Sequence, residues 1–106
     1  MTIDELRRRI DQLDERLVEL LNERASCALE IGRLKQTLGL EVYQPEREAE
    51  VLRHVQSHGR QTGSPLGGDA LARVFERIID EARRIERATA HETVGKNGAV
   101  RKSEDR

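Results

Sequence analysis

The stretch Met1 to Leu38, MTIDELRRRIDQLDERLVELLNERASCALEIGRLKQTL, decides the architecture. Taken three and four residues at a time, it marks Ile3, Leu6, Ile10, Leu13, Leu17, Leu20, Arg24, Cys27, Ile31, Leu34 and Leu38. That is heptad spacing on one helix, apolar at every step except Arg24. A guanidinium on a buried seam is costly unless an anion meets it. Arg24 therefore faces either a structural carboxylate, one from a second chain included, or an anionic ligand. Thr2 and Glu5 have capping-box spacing, and Gly39 is a C-terminal stop. At ~1.5 Å per residue such a helix is a rod of roughly 55 Å. A compact chain of this size has a radius of gyration of only ~13 Å. A seam that long needs a partner to cover it, most simply a second copy of the chain.

The bulk composition narrows the function classes. The chain has 106 residues, which suggests one domain, with 37% charged, 36% apolar and 2% aromatic residues. So few aromatics argue against a β-sandwich or a base-stacking platform and suit long amphipathic helices. A net charge of −1 gives no electrostatic case for nucleic acid. The start has no apolar run long enough for a signal peptide or a membrane span. Cys27, alone on the seam, reads as a small core residue of a cytoplasmic protein. His54, His58 and His91 show no paired spacing for a metal.

Outward from the first helix, Pro45 is placed as the first residue of a second, expected to end near Ser57 with Val51, Leu52 and Val55 on one face. HGRQTGSPLGGD (58–69), with four glycines and a proline, is expected as a loop. A third helix is expected to begin between Ser64 and Asp69, where two caps compete. Its stripe is Leu71, Val74, Phe75, Ile78, Ile79, Ala82 and Ile85. HETVGKNGAVRKSEDR (91–106) has no periodicity and reads as a disordered tail after a domain of residues 1–90.

Five further charged residues lie on or beside these apolar stripes. Arg7 and Lys35 flank the seam, four residues after Ile3 and Ile31. Glu48 is in phase with Leu52 and Val55, and Glu86 with Phe75, Ile79 and Ala82. Arg47 shares a face with Val51. The bland alternative for each is a side chain that reaches water or a rim ion pair. Arg24 and Lys35 lie 11 positions apart, which at ~100° per residue returns to within about 20° of the same face. Arg7 is ~42 Å from Lys35 along a straight helix and would meet it only from an antiparallel partner. A pocket inside a helical dimer, rich in Arg and Lys with one or two Glu, suits a small ligand with two carboxylates.

LRRRIDQLDERLVELLNERASCALEIGRLK (6–35), PEREAEVL (45–52) and VFERIIDEARRIE (74–86) resemble the all-helical (AroQ-type) chorismate mutase family. The resemblance rests on Leu6-Arg7, Ile10-Asp11, Leu13-Asp14, the run Leu20 to Arg24, Gly32 before Lys35, and Arg47-Glu48. It implies an all-α fold of three helices, one long and two shorter, intertwined as a homodimer with shared active sites. It also implies rearrangement of chorismate to prephenate, on the way to phenylalanine and tyrosine, with no cofactor. Carried over residue by residue, Arg24 and Arg7 of the other subunit would clamp the carboxylates. Lys35 would contact a carboxylate and the ether oxygen. Glu48 would accept from the substrate hydroxyl, Arg47 would order the rim, and Glu86 would donate to the ether oxygen. Ala82 replaces a frequent carboxylate-binding Ser. Gln44 stands where an acidic residue is common, with its hydroxyl contact made through the backbone.

Two alternatives follow from the same residues. One is an isochorismate–pyruvate lyase on this fold, which shares the cationic pocket. The other is a non-catalytic coiled-coil interaction module, which leaves the coincidence of Arg7, Arg24, Lys35, Arg47, Glu48 and Glu86 unexplained.

Overall fold

The computed structural model describes residues 1–63 and 65–99, and of residues 90–99 the backbone alone. The first helix, α1, spans Ile3–Leu38. The Thr2 hydroxyl accepts the Glu5 N–H at 3.1 Å, and the Glu5 carboxylate accepts the Thr2 N–H at 2.8 Å. Such caps are worth about 1 kcal/mol. At the far end Gly39 adopts φ 72°, a left-handed conformation that favours glycine.

Pro45 opens α2, which spans Pro45–Thr62. The helix runs past the expected end at Ser57, so the first part of the glycine-rich stretch is helical rather than loop. After Pro45 the next proline is at position 65, so nothing between them removes a backbone donor. Gly59 lies within this helix, and a Cβ at this position would collide with the end of the Leu71 side chain. Gly63, at φ 65°, follows the last turn. The third helix, α3, spans Gly68–Ala99. Its start falls inside the expected window, with the Gly67 carbonyl accepting the Leu71 N–H at 3.0 Å. Asp69 sits in the first turn rather than at the cap, and Ser64 lies outside the described residues. The Gln56 amide donates to the Gly68 carbonyl at 3.2 Å and ties α2 to the start of α3. The helix covers the first part of the segment expected as a tail, and residues 100–106 lie outside the described residues.

Among the described residues α3 packs on both α1 and α2, while α1 and α2 do not pack on each other. The face of α1 that meets α3 is not the heptad seam. It carries Ala28 and Gly32, both buried, beside the seam in the second half of the helix. A Cβ at Gly32 would stand 2.9 Å from the Glu86 Cα, so only glycine allows the two backbones to come this close. Ile79 is buried on the facing side, as is Thr89, whose hydroxyl donates to the Ile85 carbonyl at 2.9 Å.

The seam is left bare. Its isoleucines and leucines are between 38% (Leu13) and 67% (Leu38) exposed. Cys27, expected in a core, is exposed in this chain for the same reason. Val74 of the α3 stripe is likewise half-exposed. The molecule measures 59 × 33 × 15 Å with a radius of gyration of 18.2 Å. No described helix is long and apolar enough to cross a membrane.

Candidate active site

Because α3 touches α1 and α2 separately, the three helices enclose a space between them. It is a half-open cleft of about 440 Å³. From α1 it receives Arg24, Cys27, Ala28, Ile31 and Lys35, and from the connection Val42 and Gln44. Arg47, Glu48 and Val51 reach it from α2, and Ile79, Ala82, Arg83 and Glu86 from α3. These last positions are spaced by three and four residues, so the turn of each helix aims them at one place.

Two ion pairs organise the cleft. The Lys35 ammonium donates to the Glu86 carboxylate at 2.7 Å and to the Val42 carbonyl at 2.9 Å. Their side chains are only 13% and 12% exposed, so solvent screens the pair weakly. In the free chain Glu86 thus accepts a hydrogen bond from Lys35. The second pair is a fork. Arg83 Nε donates to one Glu48 oxygen at 3.1 Å, and Nη2 to the other at 2.7 Å. Arg83 also donates to Asp80 at 3.3 Å, and its guanidinium lies 5.2 Å over the Tyr43 ring. The hydrogen bond to Glu48 holds the Arg83 guanidinium above its ordinary pKa, against the opposite pull of burial.

The remaining cations are not matched in the same way. Arg47 is exposed and bonds Glu50 at 3.3 Å on the surface, where such a pair contributes little. Arg24 is half-buried at the cleft wall, and among the described residues no carboxylate of its own chain pairs with it. With Lys35 and Arg83 each balanced by a glutamate, Arg24 and Arg47 give the cleft two positive charges not matched within it.

Of the residues expected in the site, Arg24, Lys35, Gln44, Arg47, Glu48, Ala82 and Glu86 line this cleft. Arg7 does not; it is exposed in the first third of α1. Ala82 presents a methyl group where the family often has a hydroxyl. The Gln44 carbonyl already accepts the Glu48 N–H at 3.1 Å, and the Gln44 side chain makes no capping bond. Sequence reasoning missed Arg83, although its phase, four residues after Ile79 and three before Glu86, marks it as facing the same way. Nothing local singles out Tyr43 or the Val42 carbonyl.

Comparison with known proteins agrees with this geometry. The family model for chorismate mutase type II matches residues 6–87. A bifunctional chorismate mutase/prephenate dehydratase of Pseudomonas aeruginosa is 41% identical over 98 residues, covering 88% of this chain and 26% of that protein. The chain thus spans about a quarter of the length of that relative. A chorismate mutase of Methanocaldococcus jannaschii is 25% identical over 93 residues, covering 88% of this chain and 92% of that one. The structure of a chorismate mutase (form II) from Thermus thermophilus superposes with a TM-score of 0.76 at 30% identity, over 80% of this chain and 93% of that one. With the match running from Leu6 in the seam to Arg87 beside Glu86, the chain belongs to the chorismate mutase type II family.

Proposed function

We propose that this chain is a chorismate mutase that works as a cytoplasmic homodimer. It would convert chorismate to prephenate by an intramolecular [3,3] rearrangement. The observation that carries the reading is Arg24, a half-buried cation on the cleft wall with no carboxylate partner among the described residues of its own chain.

The reaction breaks a C–O bond while a C–C bond forms within one molecule. No proton shuttle or nucleophile is required. The protein has two tasks: to hold the dianion in its reactive conformer, and to place positive charge where the ether oxygen becomes negative. Arg24 and Arg7 of the partner subunit clamp the carboxylates, with bidentate geometry open to each guanidinium. Lys35 meets the ether oxygen and is held for that purpose from the Val42 carbonyl and Glu86. Glu48 accepts from the ring hydroxyl. The bare seam supports the dimer, since two such faces laid together bury it and bring one α1 N-terminal half toward the other cleft.

Incubation with chorismate tests this directly. The expected result is loss of the diene absorbance with formation of prephenate. Isochorismate is offered in parallel. Pyruvate release from it, with chorismate untouched, assigns the chain as a lyase instead. Inertness toward both leaves the interaction module.

A further inference from the structure

Arg83 has no part in the chemistry above, yet more contacts converge on it than on any other cation lining the cleft. We propose that Arg83 is a positioning residue that fixes the Glu48 carboxylate as the reader of the substrate's ring hydroxyl. The proposal rests on the mutase reading.

The geometry is specific. Two bonds from one planar guanidinium, at 3.1 and 2.7 Å, define both the position and the plane of the Glu48 carboxylate. The guanidinium is itself held, by Asp80 one turn earlier on α3 and by the Tyr43 ring of the connection beneath it. The pair is 22% and 24% exposed, against 69% and 57% for the surface pair Arg47–Glu50. It therefore keeps its orientation where surface pairs exchange with water. Glu48 sits in the first turn of α2, on a flexible stem that by itself selects no direction toward the cleft. Each carboxylate oxygen retains a lone pair after meeting Arg83, so the fixed group can still accept from a hydroxyl.

Arg83 would act in two separable ways. Its charge cancels that of Glu48, which otherwise repels any dianion. Its fork orients Glu48, which matters only to a substrate with a hydroxyl. The test compares kcat/KM for chorismate and for the 4-deoxy analogue of chorismate, which lacks that hydroxyl. Wild type, Arg83→Met, Arg83→Lys, Glu48→Gln and the Glu48→Gln/Arg83→Met double variant are measured, with helicity checked by circular dichroism. Loss of charge cancellation lowers both rates, so it divides out of their ratio. The preference for chorismate is expected to shrink by about tenfold or more in Arg83→Met, as for contacting partners in a mutant cycle. The double variant should show no further shrinkage beyond Glu48→Gln. Arg83→Lys should regain the common loss without the preference, because an ammonium offers no fork. It also carries the test if Arg83→Met fails to fold. An unchanged preference in Arg83→Met, or its full return in Arg83→Lys, overturns the proposal. Failure of wild type to turn over chorismate is a different outcome; it overturns the mutase reading and this proposal with it.

Discussion

At the scale of single residues, the cleft separates cations by what holds them. Lys35 is fixed by two bonds and nearly buried, whereas Arg47 is exposed and bonded only to its neighbour on the surface. Charge that appears in the transition state is best met by a group already in place. Lys35→Ala is therefore expected to lower kcat by on the order of 10²-fold or more, the range for loss of one preorganised donor. Arg47→Ala should cost much less, and Lys35→Arg should not rescue, because a planar fork does not replace a compact ammonium. Equal, mild losses in steady-state assays would contradict these roles. Glu86 gives a second case. It accepts from Lys35 in the free chain, and it donates to an ether oxygen only when it carries a proton. Glu86→Gln carries a permanent amide donor at this position. Its kcat/KM for chorismate is expected to match or exceed that of wild type, while Glu86→Ala falls well below both. An alanine variant as active as wild type removes position 86 as a donor.

At the scale of elements, the crossing of α1 and α3 is set by Gly32. A methyl group there meets the Glu86 Cα at 2.9 Å and the Glu86 carbonyl at 3.3 Å. These are backbone atoms, which cannot rotate out of the way. Gly32→Ala gains about 0.5–1 kcal/mol of helix propensity but must push the helices apart. Overpacking of this kind costs about 1–3 kcal/mol, so a net loss of stability is expected in denaturant titrations. Activity should fall further, since Glu86 moves with its backbone away from Lys35. A more stable, fully active variant would refute the role of the close approach. The same crossing shows how much was legible beforehand. The heptad seam, the Thr2 and Gly39 ends and the start at Pro45 are local signals, and each reads directly from residue type and spacing. Gly59 is not local. By itself it reads as a breaker, and the side chain packed over it, Leu71, lies twelve positions on. Ala28 is equally silent, and Gly32 enters only through the family resemblance, because a face of small residues leaves no hydrophobic period. Arg24, Lys35, Glu48 and Glu86 stood out as charges in apolar phase. Arg83 lies among other arginines of α3, and its partner on α2 is 35 positions away.

At the scale of the whole molecule, the bare seam and the position of Arg7 belong together. Each site of the proposed dimer draws Lys35 from one chain and Arg7 from the other. Chains with Arg7→Ala and chains with Lys35→Ala should each be inactive alone. Mixed and reannealed, they form heterodimers with one intact and one doubly damaged site, so a substantial part of the wild-type activity should return. No recovery, with heterodimer confirmed by mass spectrometry, would refute the shared site.

A slab 15 Å thick also has little interior in which to shelter its amides. No large side chain of the described residues is fully buried, so an isolated chain has little free energy to lose by opening. Its backbone hydrogens should trade with deuterium almost as fast as those of loose peptide. Slow exchange along α1, when it is found, then gauges how often two chains are together rather than how well one is folded. Dilution should quicken that exchange at unchanged temperature and pH, which makes isotope uptake a reading of the association equilibrium from inside the helix.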